Sequence, residues 1–304
     1  MSKPTLLLVD DEERILRSLR MLFFMDYSIR MTTDANEAIR ILREERVHVI
    51  VSDQRMPVMQ GSELLRIARE VSPHTMRILL TGYSDFAASV ASVNEGEVFR
   101  YLLKPWVGSD VKETVAEAAA IAEASFAAEP PAGQPAASAK PRVLIMDQDE
   151  DTLQAVRDIL QDRCDIIQAV DVQHALEVLA QQDVAVVVAD LQLGHDNVSS
   201  VLKTIKRFNP RTQSIVVSSL NDTGRLVDLI NQAQIARYLP KPLLKSLLAR
   251  NLDYVLERFH ASCSRPAMLQ RQAVAPISNP EEQRASESLM AMLGRLRTKV
   301  IKPA

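Results

Sequence analysis

Short apolar runs alternate with helical patterns along most of the chain. Over the first 120 residues, five runs of four or five mainly apolar residues predict strands at 6–9, 28–31, 47–51, 77–80 and 98–102. After each run, apolar residues recur at spacings of three and four, which predicts an amphipathic helix. A strand followed by a helix, repeated five times, predicts a parallel sheet with helices on both faces.

The same pattern occurs a second time. Residues 4–105 align with residues 141–242 at a constant offset of 137 without a gap, and roughly a quarter of the aligned positions are identical. A repeat of this length indicates a duplicated domain, because solenoid repeats span only about 20–50 residues. We therefore predict two doubly wound α/β domains, over residues 1–126 and 142–261. The strands of the second copy are predicted at 143–146, 165–168, 184–189, 214–217 and 236–239.

The segments outside the two copies have a different character. Residues 127–141 are rich in Ala, Pro, Gly and Ser and predict an extended linker. Residues 262–279 are polar and contain two prolines, which predicts a loop or a disordered tether within a flexible tail, 262–304. A helix is predicted at about 280–300, because Asn279 can cap it. Its apolar stripe consists of Leu289, Leu293, Leu296 and Val300.

Composition limits the classes of function. A formal net charge of −3 over 304 residues gives no broad attraction to nucleic acid or to anionic lipid, and we expect no DNA binding. No run approaches the roughly 20 apolar residues of a membrane span, and the first apolar run is too short for a signal peptide. The two cysteines lie far apart, which is typical of a reducing compartment. We therefore expect a cytoplasmic protein.

Polar residues collect at the predicted carboxyl ends of the strands. In the first copy, Asp10 and Asp11 follow the first strand, Asp53 the third, Thr81 the fourth and Lys104 the fifth. These ends meet at one edge of a parallel sheet, where functional groups gather. Three neighbouring carboxylates repel one another unless a cation or hydrogen-bond donors offset the repulsion. Oxygen ligands of this kind suit Mg²⁺, so a magnesium site beside a lysine is predicted.

This ordered set resembles the receiver domains of two-component response regulators, which have the flavodoxin-like (βα)5 fold. The resemblance covers both copies, about four fifths of the chain. It implies that Asp53 accepts a phosphoryl group from a sensor histidine kinase or a phosphotransfer protein. It also implies that Asp11 binds Mg²⁺ directly, that Asp53 assists, and that Asp10 holds a metal-bound water. Lys104 would supply positive charge from beside a cis Lys104-Pro105 bond.

The resemblance also implies a switch. Once Asp53 is phosphorylated, the Thr81 hydroxyl would move toward the phosphoryl oxygens and Tyr101 would fill the space that it leaves. These movements would alter the surface formed by the fourth helix, fifth strand and fifth helix of the domain. The fourth helix is predicted around Ala87 and Val90.

The second copy keeps only part of the motif. Asp190, Ser218 and Lys241 remain, but Gln148 stands where the first copy has Asp11, and a neutral amide is a poorer Mg²⁺ ligand. Asp149, one residue later, is an alternative ligand. Two interpretations stay open: Asp190 is a second phosphoacceptor, or the second copy is a pseudo-receiver for docking or dimerisation. The residues that remain are Asp147, Asp190, Ser218, Tyr238 and Lys241.

These patterns predict a phosphorylation-controlled interaction protein without a catalytic or DNA-binding output domain. Output would pass to a downstream protein, for example through the C-terminal helix, or through a homodimer. A phosphotransfer shuttle or phosphate sink is the alternative. A nucleotide-dependent enzyme is disfavoured, because neither first strand is followed by a glycine-rich phosphate loop. His48 is predicted to be a partly buried residue within the third strand rather than a phosphodonor.

Overall fold

The computed structural model describes residues 3–82, 97–127, 140–193, 196–219, 223–264 and 267–301. They form two compact units, each containing a five-stranded parallel sheet. The predicted fold class, two doubly wound parallel sheets in tandem, is confirmed. The predicted fourth helix of the first copy lies outside the described residues, as does most of the predicted linker.

The first unit has the strand order β2-β1-β3-β4-β5. Its interior strand β1 buries Leu6, Leu7 and Leu8 completely. Consecutive residues of a strand point to opposite faces, so helices must cover both sides of this sheet. Its elements are β1 (Thr5–Val9), α1 (Glu13–Phe23), β2 (Ser28–Thr32), α2 (Ala35–Glu44), β3 (Val49–Asp53), α3 (Gly61–Val71), β4 (Met76–Thr81), β5 (Arg100–Leu103) and α4 (Gly108–Ala127).

Two strand ends differ from the prediction. Asp53 and Thr81 are the last residues of β3 and β4, whereas both were predicted to follow their strands. His48 lies just before β3 and not within it, since pairing with β1 begins at Val49. The His48 N–H donates to the Thr5 carbonyl, and its side chain is buried as expected.

The second unit has the matching order β12-β11-β8-β6-β7. A two-stranded antiparallel hairpin is inserted after β8. The elements are β6 (Arg142–Met146), α5 (Glu150–Leu160), β7 (Asp165–Gln168), α6 (Val172–Gln181), β8 (Val184–Ala189), β9 (Gln192–Leu193), β10 (Asp196–Asn197), α7 (Ser199–Phe208), β11 (Gln213–Ser218), α8 (Thr223–Ala233), β12 (Arg237–Pro240), α9 (Lys245–Ser264), α10 (Ala267–Gln270) and α11 (Pro280–Ile301).

The two copies also share a helix N-cap at equivalent positions. Asp34 begins α2 by accepting a hydrogen bond from the Asn36 N–H at 2.8 Å. Asp171, at the equivalent position, begins α6 by accepting from the His174 N–H at 2.7 Å. An N-cap aspartate is worth about 1 kcal/mol, because it satisfies a helix N–H that has no partner within the helix.

The tail packs on the second unit. Residues 271–279 form a loop, as one of the two predicted alternatives, whereas residues 262–264 and 267–270 are helical. Helix α9 continues to Ser264, and Gln272 and Ile277 are buried. The polar groups of this segment find partners: the Gln272 side chain accepts from Lys206 Nζ at 2.6 Å, and the Ala275 backbone N–H donates to the Asn231 carbonyl at 2.9 Å. Polar composition therefore did not imply exposure here.

Helix α11 lies against α6 and α7. Leu293 of its predicted apolar stripe is completely buried. Leu289 and Leu296 of the stripe are half-buried. Binding of a downstream partner through this helix stays a prediction. None of the described helices is long and apolar enough to cross a membrane.

Candidate functional site

Three charged side chains meet at the carboxyl edge of the first sheet. Asp10 follows β1, Asp53 ends β3 and Lys104 follows β5. Lys104 Nζ lies 2.5 Å from Asp53 Oδ1 and 3.4 Å from Asp10 Oδ2. Since β4 separates β3 from β5, the long lysine side chain reaches across one strand. The structure brings together these three predicted site residues.

The two carboxylates are held in place by backbone donors. Asp10 Oδ1 accepts from the Glu12 N–H at 2.9 Å, and Asp53 Oδ2 accepts from the Arg55 N–H at 2.7 Å. Asp10 and Asp53 are only 1% and 4% exposed. Burial raises the pKa of Asp10, although the Glu12 N–H and Lys104 oppose this effect. Burial alone would lower the pKa of Lys104, but its ion pairs with Asp53 and Asp10 raise it, so the ammonium stays charged.

The remaining predicted residues occupy the same edge or the adjoining strands. Asp11 is exposed beside Asp10. Thr81 is buried, and its hydroxyl donates to the Gly82 carbonyl at 3.2 Å. Tyr101 is buried on β5, where it pairs with Leu79 of the neighbouring strand β4. The Lys104-Pro105 peptide bond is cis, as predicted.

The sequence analysis missed one neighbour of the site. The Trp106 ring centroid lies 5.6 Å from Lys104 Nζ, within the range of a cation–π contact. Its only signal in the sequence is its position two residues after the lysine. Trp106 is the single tryptophan of the chain and so reports on this site alone.

Gly61 allows α3 to begin directly against Asp53. A Cβ atom at this position would lie 2.0 Å from the Asp53 carbonyl oxygen, which no side chain permits. Val198 occupies the equivalent position in the second unit. There α7 begins at Ser199, after the β9–β10 hairpin. The two units thus differ in the loop that precedes this helix, and a side chain at the Gly61 position is compatible only with the second form.

The second sheet carries a similar arrangement. Lys241 Nζ lies 2.8 Å from Asp190 Oδ2 and 3.0 Å from Asp147 Oδ2. The Ser218 hydroxyl donates to Asp190 Oδ1 at 3.2 Å. Burial alone would lower the pKa of Lys241, but its bonds to Asp190 and Asp147 raise it above its ordinary value. The Lys241-Pro242 bond is also cis.

A family model described as the response regulator receiver domain matches residues 6–116 and 143–253. The chain belongs to this family. It contains two receivers in tandem, as the repeat and its motif predict.

The most similar relatives include other regulators. The hydrogenase transcriptional regulatory protein HoxA of Cupriavidus necator is 40% identical over 116 residues, which are 38% of this chain and 24% of that protein. The transcriptional regulatory protein FixJ of Rhizobium meliloti is 30% identical over 39% of this chain and 58% of its own length. This chain therefore spans about a quarter of the first curated relatives that it matches, the HoxA proteins.

Solved receiver structures also match a single receiver of the chain. The signal receiver domain of an HD domain-containing protein from Pseudomonas fluorescens Pf-5 is 32% identical. It covers 42% of this chain and 96% of its own chain, with a TM-score of 0.39.

The chemistry of the first receiver fits Mg²⁺. Among the described residues, no group of three or more His, Cys, Asp and Glu side chains is arranged to hold a metal ion unaided. Mg²⁺ does not need such a group, because it keeps several waters and takes one or two carboxylates together with phosphate oxygens. Asp10 and Asp53 are two buried carboxylates that share one ammonium, and Asp11 adds a third at the surface. This negative excess suits a divalent cation.

Proposed function

We propose that this chain is a response regulator that accepts a phosphoryl group on Asp53. The donor would be a phosphohistidine of a sensor histidine kinase or of a phosphotransfer protein. The observation that carries the proposal is the 2.5 Å contact between Lys104 Nζ and Asp53 Oδ1 in a nearly buried site. Membership of the receiver family supports it.

The residues match the needs of phosphoryl transfer. An Asp53 carboxylate oxygen attacks phosphorus, the phosphorus–nitrogen bond of phosphohistidine breaks, and the imidazole nitrogen leaves with the electron pair. The reaction demands alignment and charge neutralisation more than covalent help from other residues. The Arg55 N–H and Lys104 hold the two carboxylate oxygens in fixed directions. Bound Mg²⁺, held by Asp10, Asp11 and Asp53, would neutralise charge on the transferred group.

We further propose that Thr81 and Tyr101 convert the new charge into a change of surface. A phosphoryl group adds nearly two negative charges and strong acceptor oxygens. Thr81 stands at the end of β4, the strand next to the acceptor, and Tyr101 is buried on β5 beside it. If the Thr81 hydroxyl moved from the Gly82 carbonyl to the phosphoryl group, the packing around Tyr101 would change.

The proposed output is binding to other proteins in the cytoplasm. We infer no catalytic activity beyond phosphorylation of the chain and hydrolysis of its aspartyl phosphate. Leu293 of α11 is buried against the second receiver, so we assign recognition of a downstream protein, or homodimerisation, to surfaces that stay exposed, including the exposed face of this helix. Rapid hydrolysis that drains a kinase would instead favour a phosphate sink.

The test is direct phosphorylation of the full chain with phosphoramidate and Mg²⁺. Borohydride reduction converts an aspartyl phosphate to homoserine, which peptide mass spectrometry assigns to a position. We expect Asp53 to be converted in the wild type, and Asp53→Asn to lose this product. Mg²⁺ should change the fluorescence of Trp106 in the wild type but not in Asp11→Asn. An unmodified Asp53 at saturating donor would overturn the proposal.

A further inference from the structure

Residues 271–279 form a strap between two helices of the second receiver. One residue of the strap, Ala275, bonds to both helices through its backbone. Its N–H donates to the Asn231 carbonyl in the last turn of α8 at 2.9 Å, and its carbonyl accepts from Arg207 Nη2 of α7 at 3.2 Å. The last carbonyls of a helix have no partner within the helix, so the strap satisfies one that α8 leaves open.

Two side chains of the strap make the same connection. Ser278 Oγ accepts from Gln232 Nε2 of α8 at 3.1 Å, and Gln232 is only 5% exposed. On the other side, Gln272 Oε1 accepts from Lys206 Nζ of α7 at 2.6 Å and from Gln213 Nε2 of β11 at 3.2 Å. These hydrogen bonds join the end of α8 to α7 through the strap.

Helix α11 holds the far end of the strap on α7. Lys203 of α7 is 1% exposed and forms an ion pair with Glu282 of α11. The Thr204 and Ser286 hydroxyls, which are both buried, share a hydrogen bond of 2.9 Å. A buried ammonium that lost its carboxylate partner would be destabilising. The strap is therefore held on α7 both before and after the residue that contacts α8.

Helix α7 differs here from its counterpart in the first receiver. Arg66 stands at the position equivalent to Lys203 and pairs with Glu70 of its own helix at 3.0 Å. The Arg66 side chain is 34% exposed, against 1% for Lys203. The same position of the fold thus lies at the surface in the first receiver and under the tail in the second. Burial of this basic position is a property of the second receiver.

The switch residues of the second receiver also differ from those of the first. The Ser218 hydroxyl donates to Asp190 Oδ1 at 3.2 Å. In the first receiver, the Thr81 hydroxyl donates to the Gly82 carbonyl instead. Tyr238 is buried, and its hydroxyl donates to the Ser218 carbonyl at 3.1 Å. The hydroxyl at the end of β11 therefore already contacts the aspartate, a movement that is proposed for Thr81 only after phosphorylation.

We propose that the strap is a clamp that fixes α8 and holds the second receiver in one switch position. The surface that changes when the switch residues of a receiver move consists of α8, β12 and α9 in this unit. Because the strap bonds the end of α8 to α7, this surface keeps one form whether or not Asp190 is modified. The inference rests on the proposed function only for the role of this surface in output. The second receiver thus presents a constant binding surface, while the first responds to phosphorylation.

The test is hydrogen–deuterium exchange of the full chain, followed by peptide mass spectrometry. Gln272→Ala combined with Ser278→Ala removes the two side-chain anchors of the strap. Amides of the last turn of α8 should then exchange about tenfold faster, since local opening of this turn no longer breaks these hydrogen bonds. Amides of the interior strand β6 should keep their rate. Gln270→Ala combined with Ser288→Ala is the matched control, because both residues are exposed.

Phosphoramidate with Mg²⁺ gives a second readout on the wild-type chain. It should leave the exchange of the last turn of α8 unchanged, and a response of this turn would overturn the clamp. Equal rates in the released and control variants would overturn it too, as would an acceleration that is as large in β6 as in α8. Borohydride trapping reports modification of Asp53 in the same sample. An unmodified Asp53 would refute the proposed function, whereas the comparison of the variants tests the clamp independently of it.

Discussion

Lys206 shows how a single residue holds the tail on the second receiver. Its ammonium is almost fully buried and donates to the Pro210 carbonyl at 2.7 Å and to Gln272 Oε1 at 2.6 Å. It therefore joins the end of α7 to the segment that precedes α11. Burial lowers the pKa of Lys206 well below its ordinary value of 10.5, and the charge of Arg258 adds to this effect.

This lowered pKa predicts a pH dependence of stability. Between the lowered pKa and about 10.5, the unfolded chain holds a proton on Lys206 that the folded chain does not. The free energy of unfolding should therefore rise with pH in this window, by at most about 1.4 kcal/mol per pH unit. Lys206→Met should lose this contribution. Urea unfolding at several pH values measures it, with the exposed Lys140→Met as control. Parallel curves for wild type and Lys206→Met would contradict the prediction.

At the level of elements, the spacing of apolar residues predicted the strands, because their positions depend on the local sequence. The central strands were located to within one or two residues, because strands buried on both faces are continuously apolar. Their polar ends were less clear: Asp53 and Thr81 belong to the strands that they end. The order of residues was enough to predict the meeting of Asp10, Asp53 and Lys104, since the parallel topology fixes that edge.

In the tail, the helix predicted at about 280–300 is present at Pro280–Ile301, but the packing of the segment before it was not predicted, for a physical reason. The polar groups of this segment depend on partners distant in the sequence, such as Lys206 for the Gln272 side chain and the Asn231 carbonyl for the Ala275 N–H. No local pattern reveals these contacts. The role of Asp149 was left open for the same reason, because its approach to Lys241 depends on how α5 begins.

Helix α11 should contribute measurably to the stability of the second receiver. Leu293 is completely buried where α11 packs on α6 and α7. Leu293→Ala should lower the free energy of unfolding by about 2–5 kcal/mol, the usual result of removing a buried leucine side chain. Arg295→Ala, an exposed position of the same helix, should change it by less than about 0.5 kcal/mol. Urea unfolding compares the two variants. Equal stabilities would mean that the helix does not pack as described.

At the scale of the whole molecule, each receiver has the parts of an independent domain. The five strands of each sheet pair only with one another, and each receiver has its own buried core. Each also carries its own lysine–aspartate site, since Lys104 and Lys241 both contact aspartates of their own sheet. Neither core needs residues of the other sheet for its strand pairing.

Residues 3–127 and 140–301, expressed separately, should therefore each fold. We expect each to unfold cooperatively, with a free energy in the usual range of about 5–15 kcal/mol. The second fragment must include α11, because a version that ends at Ser264 would expose the surface of α6 and α7 that this helix covers. Circular dichroism during urea unfolding measures all three fragments. The contrary outcome is that the fragment 140–301 unfolds without cooperativity while the full chain unfolds cooperatively. The second receiver would then depend on the first, and the two sites could not be treated as separate.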